Sequence, residues 1–280
     1  MIEDKPSRTA HRVALRRAGH QLWDKPRVFD DPVALKIIGR EAAAELESEP
    51  PDLSALRYLR AFLVARSRFA EDHLAAAVAL GVKQYVVLGA GLDTFAYRNP
   101  FKDLQVFEVD FPATQAWKRS RLEAEGIAIP ATLTFAPVDF ERDTLAAGLA
   151  NAGFKASEPA FFSWLGVTPY LAEGTVLATL RWIAASCKQN GVAFDYAVPR
   201  ESLSFLNRMT FDALSARVAA AGEPFVGFFD PKKLAQELRE MGFNHIEDLG
   251  AEETNARYFA GRADGLCVAG ALARLMCARG

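Results

Sequence analysis

The chain has 280 residues, of which 50% are hydrophobic and 24% are charged, and its formal net charge is −2. Such a length and composition are typical of one large globular domain with an appended element, and they argue against disorder. The near-neutral charge favours neither a nucleic-acid nor a membrane partner. Three scattered cysteines, and an N-terminus without an apolar signal-type stretch, indicate a cytoplasmic protein.

The first 80 residues are predicted to be helical. Ala, Leu, Arg and Glu are plentiful there, and segments with proline and acidic residues separate the pieces at residues 24–32 and 47–54. This part also begins with a basic segment that is compatible with an RNA-binding arm. A solvated helix face is the preferred interpretation, because the aromatic interleaving of a base-stacking surface is missing. The basic residues are Lys5, Arg8, Arg12, Arg16, Arg17, Lys25 and Arg27.

From residue 84 onwards, short apolar runs alternate with helical segments. Runs that are rich in β-branched or aromatic residues and bounded by Gly, Pro or Asp are typical of strands. Such runs occupy residues 84–89, 104–110, 131–139, 159–166 and 191–198. The stretches between them are long enough for crossover helices. This alternation predicts parallel βαβ units with helices on both faces of the sheet.

The C-terminal part is predicted to close the sheet differently. Asp230 is placed to cap a helix that starts at Pro231 and ends just before Gly242. A short strand is predicted over residues 243–248. The apolar run 265–275 is predicted as a last strand that returns through a loop without a crossover helix. The fold class is therefore α/β, a Rossmann-like, doubly wound sheet of seven strands with the last one antiparallel.

The stretch "VVLGAGLDTFAYR" places two glycines directly after the first predicted strand. Gly89 permits a tight turn, and Gly91 lets the backbone approach a ligand closely. A dinucleotide-binding turn would have a third glycine where this chain has Thr94. Asp93 is predicted at the start of the following helix, where a carboxylate would repel a pyrophosphate. S-adenosylmethionine, which carries positive charge and no phosphate, suits such a loop; alternatively, Asp93 only caps its helix.

Acidic residues also end the second and third predicted strands. A ribose-binding acid is expected about 20 residues after the glycines. Asp110 and Glu108 both fit and lie on the same face of the strand, and Asp110 is preferred because it is nearer the tip. Asp139 and Phe140 follow the third strand, where they are suited to bind an adenine amino group and pack against its ring.

These motifs resemble those of class I S-adenosylmethionine-dependent methyltransferases of the leucine carboxyl methyltransferase type. The resemblance rests on "VVLGAGLDTFAYR", "FEVDFPATQAWKR" and "APVDFE", together with "TAHRVALRRA" and "VARSRF" upstream. It is strongest for a bacterial branch with several members from actinobacterial natural-product pathways. The family implies a single domain over residues 1–280, in which residues 1–80 form a helical lid over the substrate and residues 81–280 form the cofactor-binding core.

The resemblance also implies roles for individual residues. Arg66, in "VARSRF", matches an arginine that binds the methionine carboxylate of the cofactor, and the planar fork of its guanidinium suits a carboxylate. Arg8 is a looser match to a second basic residue on that carboxylate. The predicted cofactor-binding set is Arg66, Gly89, Gly91, Asp93, Asp110, Asp139 and Phe140.

The acceptor side departs from the family pattern. After the fourth strand the family often has an acidic residue followed by an apolar stretch and "YL", whereas this chain has "SWLGVTPYL", with Ser163, Trp164 and Gly166 near the position of the acid. Trp164 and Tyr170 are expected to be pocket walls rather than catalysts. Arg181 and Arg200 could pair with an acidic substrate, although surface positions are favoured. No catalytic residue is assigned from the sequence.

The predicted activity is methyl transfer to an oxygen of a small molecule, in secondary metabolism. A carboxylate acceptor needs no general base, whereas a phenol or alcohol does. Two alternatives stay open at this stage, a nicotinamide-dependent oxidoreductase on the same fold and a non-catalytic cofactor-binding module. The four histidines are dispersed, so no metal site is predicted. The sequence does not indicate an oligomeric state.

Overall fold

A computed structural model describes residues 8–49, 56–139, 143–187, 189–220, 222 and 224–280. Seven strands form one sheet in the order β3-β2-β1-β4-β5-β7-β6. The strands are β1 (Gln84–Leu88), β2 (Gln105–Asp110), β3 (Leu133–Pro137), β4 (Ala160–Trp164), β5 (Gly191–Ala197), β6 (His245–Leu249) and β7 (Ala273–Arg279).

Helices precede the sheet and connect most of its strands. Among the described residues, none of them combines the length and apolarity needed to span a bilayer. The α-helices are α1 (Arg8–Trp23), α2 (Ala34–Ile37), α3 (Arg40–Ser48), α4 (Leu56–Ala79), α5 (Pro112–Ala124), α6 (Leu145–Asn151), α7 (Glu173–Ser186), α8 (Phe205–Ala220), α9 (Pro231–Glu240) and α10 (Ala251–Tyr258).

The sheet has the predicted doubly wound topology. β1 pairs in parallel with both β2 and β4, and β7 runs antiparallel to both β5 and β6. The antiparallel last strand is therefore confirmed, and the five strands predicted between residues 84 and 198 all overlap with observed ones. The chain winds outward in both directions from β1 and β4, so the connections that follow these two strands run in opposite directions along the sheet and leave a crevice between their starting points. In open α/β sheets this crevice is where ligands bind.

The first crossover differs from the prediction. Between β1 and β2 the structure has one 3-10 turn, Phe95–Arg98, where an α-helix was expected after Asp93. Pro100 explains the early end, because proline lacks an N–H and disfavours a helical conformation in the residue before it. Asn99 is accordingly non-helical, with φ −53° and ψ 116°. The other crossovers between β2 and β5 contain the predicted helices.

The C-terminal elements confirm one prediction and correct another. Asp230 caps α9, since its carboxylate accepts hydrogen bonds from the N–H groups of Lys232 and Lys233, both at 3.0 Å. The last strand, however, begins at Ala273 rather than at residue 265, and α10 lies between β6 and β7 where a plain loop was expected.

The side chain of Asn255 in α10 explains why the last strand begins late. Its amide donates to the carbonyl of Val268 at 2.9 Å and accepts from the N–H of Val268 at 2.8 Å. These two bonds satisfy the carbonyl and the N–H of Val268, which in a strand would bond to a neighbouring strand. The backbone of Val268 is therefore paired with α10, and the chain joins the sheet only near Leu272, whose carbonyl accepts from the N–H of Val198 at 2.8 Å.

Helices cover both faces of the sheet. α4 and α10 lie on one face, and α6, α7 and α9 lie on the other. Every residue of β1, β4 and β5 is buried, as expected for parallel strands that are covered on both sides. Phe69 and Leu74 of α4 are fully buried, and each contributes about 2 kcal/mol of hydrophobic stabilisation.

The N-terminal helices form a third cluster beside the sheet. Ala14 and Ala18 of α1 and Ile37 of α2 pack with Leu92 of the glycine turn and with Leu122 of α5. α4, in contrast, belongs to the layer that packs on the sheet. The division into a lid of residues 1–80 and a core of residues 81–280 stays a prediction.

A buried charge network connects α1 to α4. The guanidinium of Arg60 contacts the carboxylate of Asp24 through two hydrogen bonds, at 2.8 and 3.0 Å. His20 Nε2 accepts from the N–H of Val28, so Nδ1 carries the proton and donates to Asp24 at 2.8 Å. Burial raises the pKa of Asp24, but the hydrogen bonds from His20 and Arg60 and the charge of Arg60 outweigh it and lower the pKa to about 2.

The variant Asp24→Asn should unfold more easily at neutral pH, by about 3 kcal/mol, because Arg60 loses its buried counter-charge. The pKa of Asp24 is depressed in the folded state, so its contribution is present above about pH 4 and is lost as the pH falls towards 2. Denaturant titrations of parent and variant should therefore converge between these values. A difference in stability that is independent of pH would contradict the ion-pair interpretation.

Candidate functional site

The glycine turn after β1 and the loop after β4 meet at the carboxyl end of the sheet. A Cβ built on Gly89 would lie 2.5 Å from Cγ2 of Val167, and a Cβ on Gly91 would lie 3.0 Å from the Cβ of Ala10 in α1. Both glycines have positive φ, +66° and +47°. Two separate requirements, the left-handed backbone and the close neighbours, therefore favour glycine here.

Asp110, the predicted ribose acid, binds the glycine turn. Its Oδ2 accepts from the N–H of Gly91 at 2.5 Å, and its Oδ1 accepts from the N–H of Phe111 at 2.7 Å. Burial raises the pKa of this carboxyl group, and the two N–H donors oppose the rise. The structure thus brings the tip of β2 and the glycine turn into direct contact. Each carboxylate oxygen retains lone-pair capacity for a further donor.

Glu108, the other candidate for the ribose acid, lies deeper in the protein. Its Oε2 is 2.6 Å from Nζ of Lys118, and both side chains are only 1% exposed. Burial raises the pKa of Glu108 to about 7, although the Lys118 charge opposes this rise. Glu108 is therefore part of an internal ion pair, and Asp110 is the acid at the strand tip.

Asp93 caps the 3-10 turn that follows the glycines. Its Oδ1 accepts from the N–H of Phe95 at 2.8 Å, and its Oδ2 is 3.9 Å from Nη1 of Arg17 in α1. These contacts agree with the capping alternative, and the cofactor-binding role of Asp93 stays a prediction. Since no α-helix begins here, the argument that Asp93 occupies the anion site of a helix N-terminus loses its premise.

Arg66, the predicted anchor of the cofactor carboxylate, lies in α4 below the loop after β4. Its Nη1 donates to Oδ2 of Asp195 at 3.1 Å, and both side chains are buried. A Cβ on Gly166 would be 2.7 Å from Nη2 of Arg66. The guanidinium therefore lies directly against this glycine. The structure places Arg66 at the same end of the sheet as the glycine turn.

Asp195 is the residue of this site that the sequence analysis missed. It lies in β5, and its Oδ1 accepts from the N–H of Gly166 at 2.5 Å. The sequence signal was a single acid in an otherwise apolar strand, "GVAFDYAV". An isolated charge in a strand that is buried on both faces requires a partner, but the sequence does not identify it.

The remaining predicted cofactor residues lie at the end of β3 or outside the described part of the chain. Val138 donates its N–H to the carbonyl of Asp110 at 3.0 Å, so Asp139 follows close to the tip of β2. The N–H of Asp139 contacts Oδ2 of Asp143 at 3.2 Å. Phe140 and the side chain of Arg8 are outside the described residues.

The residues predicted near the acceptor have different environments. Trp164 is 4% exposed and belongs to the core, and Ser163 accepts a hydrogen bond from the hydroxyl of Tyr85 at 2.8 Å. Tyr170 is half-buried and packs against Phe225, with ring centroids 5.3 Å apart. Tyr170 therefore remains a candidate pocket wall, whereas Trp164 supports the loop from below.

The two predicted surface arginines lie on the outside of the protein. Arg181 is exposed on α7. Arg200 forms two hydrogen bonds with Asp212, both at 2.7 Å. This ion pair occupies the guanidinium that was considered for an acidic substrate. In the described part of the chain, no cluster of three or more His, Cys, Asp or Glu side chains is arranged to hold a metal ion.

The substitution Gly89→Ala should destabilise the protein more than Gly126→Ala. Both glycines have nearly the same φ, +66° and +62°, but a Cβ on Gly126 would contact nothing within 4 Å. Each variant incurs a left-handed strain of about 1 to 2 kcal/mol. Only Gly89→Ala also forces Val167 aside, which adds about 1 to 3 kcal/mol. Denaturant unfolding of the two variants measures the difference, and equal losses would contradict the close packing at Gly89.

Comparisons with known proteins agree with the fold and with the resemblance. The sequence profile of the leucine carboxyl methyltransferases matches residues 10–184. YktD of Bacillus subtilis, provisionally named an S-adenosyl-L-methionine-dependent methyltransferase, is 32% identical over 294 aligned positions that cover 95% of each chain. A relative from Saccharopolyspora erythraea with the same provisional description is 34% identical over 183 positions, which cover 63% of each chain.

Solved structures share the architecture at low sequence identity. The crystal structure of a provisionally named methyltransferase from Thermobifida fusca has a TM-score of 0.58 and 15% identity, and the match covers 92% of this chain and 98% of that one. A DUF574 family protein from Streptomyces avermitilis has a TM-score of 0.54 and 14% identity, over 94% and 99% of the two chains. These two structures support the fold, and the sequence matches confirm the predicted family. The chain belongs to the leucine carboxyl methyltransferase family.

Proposed function

We propose that this S-adenosylmethionine-dependent methyltransferase methylates an oxygen of a small molecule, and that a carboxylate oxygen is favoured over a hydroxyl. The observation that carries the choice of a carboxylate is the state of three of the acids at the carboxyl end of the sheet. Asp93, Asp110 and Asp195 each accept a hydrogen bond from a backbone N–H group. All three carboxylates are thus engaged in supporting loops.

The described residues fit the cofactor as follows. Asp110 offers carboxylate lone pairs to ribose hydroxyls beside the glycine turn. Arg66 offers guanidinium donors to the methionine carboxylate. Asp139 is assigned to the adenine end because it follows β3, the strand next to β2. Phe140, which the sequence analysis assigns to the adenine ring, is not among the described residues. These assignments use positions that lie at the same end of the sheet.

When bound, the cofactor would supply a methyl group on a positively charged sulfur: the acceptor oxygen would bond to the methyl carbon as the carbon–sulfur bond breaks in line, and S-adenosylhomocysteine would leave. The protein's task is to hold the acceptor in line with that group and to exclude water. A phenol or alcohol must also lose a proton, which requires a positioned base. A carboxylate is already ionised at neutral pH. Asp93, Asp110 and Asp195 already accept hydrogen bonds from backbone N–H groups. An acceptor that needs no base therefore agrees best with this site.

The proposal of a small acceptor rests on the cover over the glycine turn. Ala10 of α1 lies against Gly91, and Leu92 is buried against the N-terminal helices. This cover favours a small molecule over a folded protein surface. A biosynthetic role in secondary metabolism and a cytoplasmic location are parts of the proposal that rest on the sequence analysis alone.

The choice between acceptors is testable from the pH dependence of methyl transfer. With a panel of small carboxylic acids and phenols, we expect methyl esters as products and a kcat/KM for the acceptor that is nearly constant between about pH 6 and 9, where a carboxyl group with a pKa near 4 stays ionised. Release of methanol by alkaline hydrolysis identifies the ester. Transfer only to phenols, at a rate that rises with pH, would contradict the carboxylate assignment.

The ribose assignment is tested by Asp110→Ala, with Glu108→Gln as its matched control on the same strand. Loss of the Asp110 carboxylate should weaken binding of S-adenosylhomocysteine by about 1 to 3 kcal/mol, because ribose hydroxyls and the Gly91 N–H lose their acceptor. Glu108→Gln should instead lower the stability and leave the affinity nearly unchanged, because Glu108 pairs with the buried Lys118. Calorimetric titration measures the affinities. Unchanged affinity in Asp110→Ala would overturn the assignment.

A further inference from the structure

A buried carboxylate contacts both the predicted cofactor anchor and the loop after β4. Asp195 is 3% exposed, and it lies on the same side of β5 as Ala193, which faces the cluster that includes α4. Its Oδ2 accepts from Nη1 of Arg66 at 3.1 Å, and its Oδ1 accepts from the N–H of Gly166 at 2.5 Å. One side chain thereby fixes two neighbouring parts of the site.

The geometry leaves the guanidinium of Arg66 little freedom. A Cβ on Gly166 would lie 2.7 Å from Nη2 and 2.8 Å from Nη1, so the guanidinium is confined between α4 and this glycine. Gly166 also has a positive φ of +72°. Its N–H donates to the same carboxylate that holds the guanidinium. The loop after β4 and the arginine are therefore positioned together.

The energetics agree with a role in orientation. A buried arginine and a buried aspartate each lose hydration, and a single well-formed pair only partly compensates for that loss. Well-packed apolar residues of similar volume in place of the pair would often serve stability at least as well. Arg66 has a planar group with five N–H donors, and fixing this plane determines where the other donors point.

We propose that Asp195 is a positioning residue that orients Arg66 to bind the carboxylate of the methionine part of the cofactor. This inference rests on the proposed function, since it takes Arg66 as the carboxylate anchor. Asp195 also provides, from the neighbouring strand, a carboxylate beside the loop after β4, where the sequence has Ser163, Trp164 and Gly166 in place of an acid.

The test uses two ligands that differ in the part that Arg66 would bind. S-adenosylhomocysteine has the amino-acid carboxylate, whereas 5′-methylthioadenosine has the same adenosine thioether without the amino-acid group. In Asp195→Ala, affinity for S-adenosylhomocysteine should fall by about ten- to a hundredfold, the range for a lost hydrogen bond to a charged group. Affinity for methylthioadenosine should stay within about twofold. Asp195→Asn, which retains an acceptor oxygen, should lie between the parent and the alanine variant.

Two reference variants make the result interpretable. Arg66→Lys replaces the planar fork and should show the same selective loss. Asp248→Asn breaks a less buried ion pair, with Arg274 of β7 at 3.0 Å, and should change neither affinity. Calorimetric titration of the full-length protein gives the affinities, and thermal unfolding shows whether each variant folds. If Asp195→Ala fails to fold, the Asp195→Asn variant carries the comparison.

The outcomes separate this inference from the proposed function. Equal losses for both ligands in the Asp195 variants, or an unchanged affinity for S-adenosylhomocysteine, would overturn the positioning role. If Arg66→Lys shows the selective loss in the same experiment, the cofactor assignment stands. A parent protein that binds neither ligand would overturn the proposed function and this inference with it.

Discussion

The hydrogen bond between Asp110 and the N–H of Gly91 is the interaction on which the site depends. It joins the tip of β2 to the turn after β1, in which Gly91 has a left-handed backbone. The turn follows β1, next to the point where the strand order reverses, so it lies at the crevice in which open α/β sheets bind ligands. With the turn held, α1 packs against it through Ala10, and Val167 closes it from the other side. Contacts within the protein therefore fix the position of the glycine turn, and these contacts do not require a bound ligand.

A second set of charges keeps the N-terminal helices in contact with this turn. Arg17 of α1 donates to the carbonyl of Leu92 at 2.8 Å, and the fully buried Asp31 accepts from the hydroxyl of Thr94 at 2.7 Å. Arg98 of the 3-10 turn pairs with Glu71 of α4. Thr94 stands where a dinucleotide fold has its third glycine, and its hydroxyl has a structural partner here. The departure from the dinucleotide pattern thus coincides with the anchoring of the helical segment.

Local patterns predicted much of this fold, and contacts between distant parts of the chain account for most of what was missed. β1 to β5 were predictable because apolar runs that are buried on both faces are visible in the sequence, and Asp110 was predictable from its spacing after the glycines. The 3-10 turn depends on Pro100, a local signal that the predicted crossover helix overlooked. The late start of β7 depends on the amide of Asn255, which takes up the backbone of Val268. Nothing in the apolar pattern of residues 265–275 indicates that competition.

The ion pair of Arg66 with Asp195 shows most clearly why the site could not be completed from the sequence. The two residues are separated by 129 positions, and neither α4 nor β5 gives a sign in its sequence of which residue is the partner. A carboxylate can lie beside the loop after β4 without belonging to that loop. Here the neighbouring strand β5 provides it. Because Asp195 contacts the loop from β5, a carboxylate is present beside residues 163–166 although none of these residues is acidic. Under the proposed function, the residues facing the acceptor can then differ from the family pattern, while Arg66, the proposed anchor of the cofactor carboxylate, keeps a charged partner.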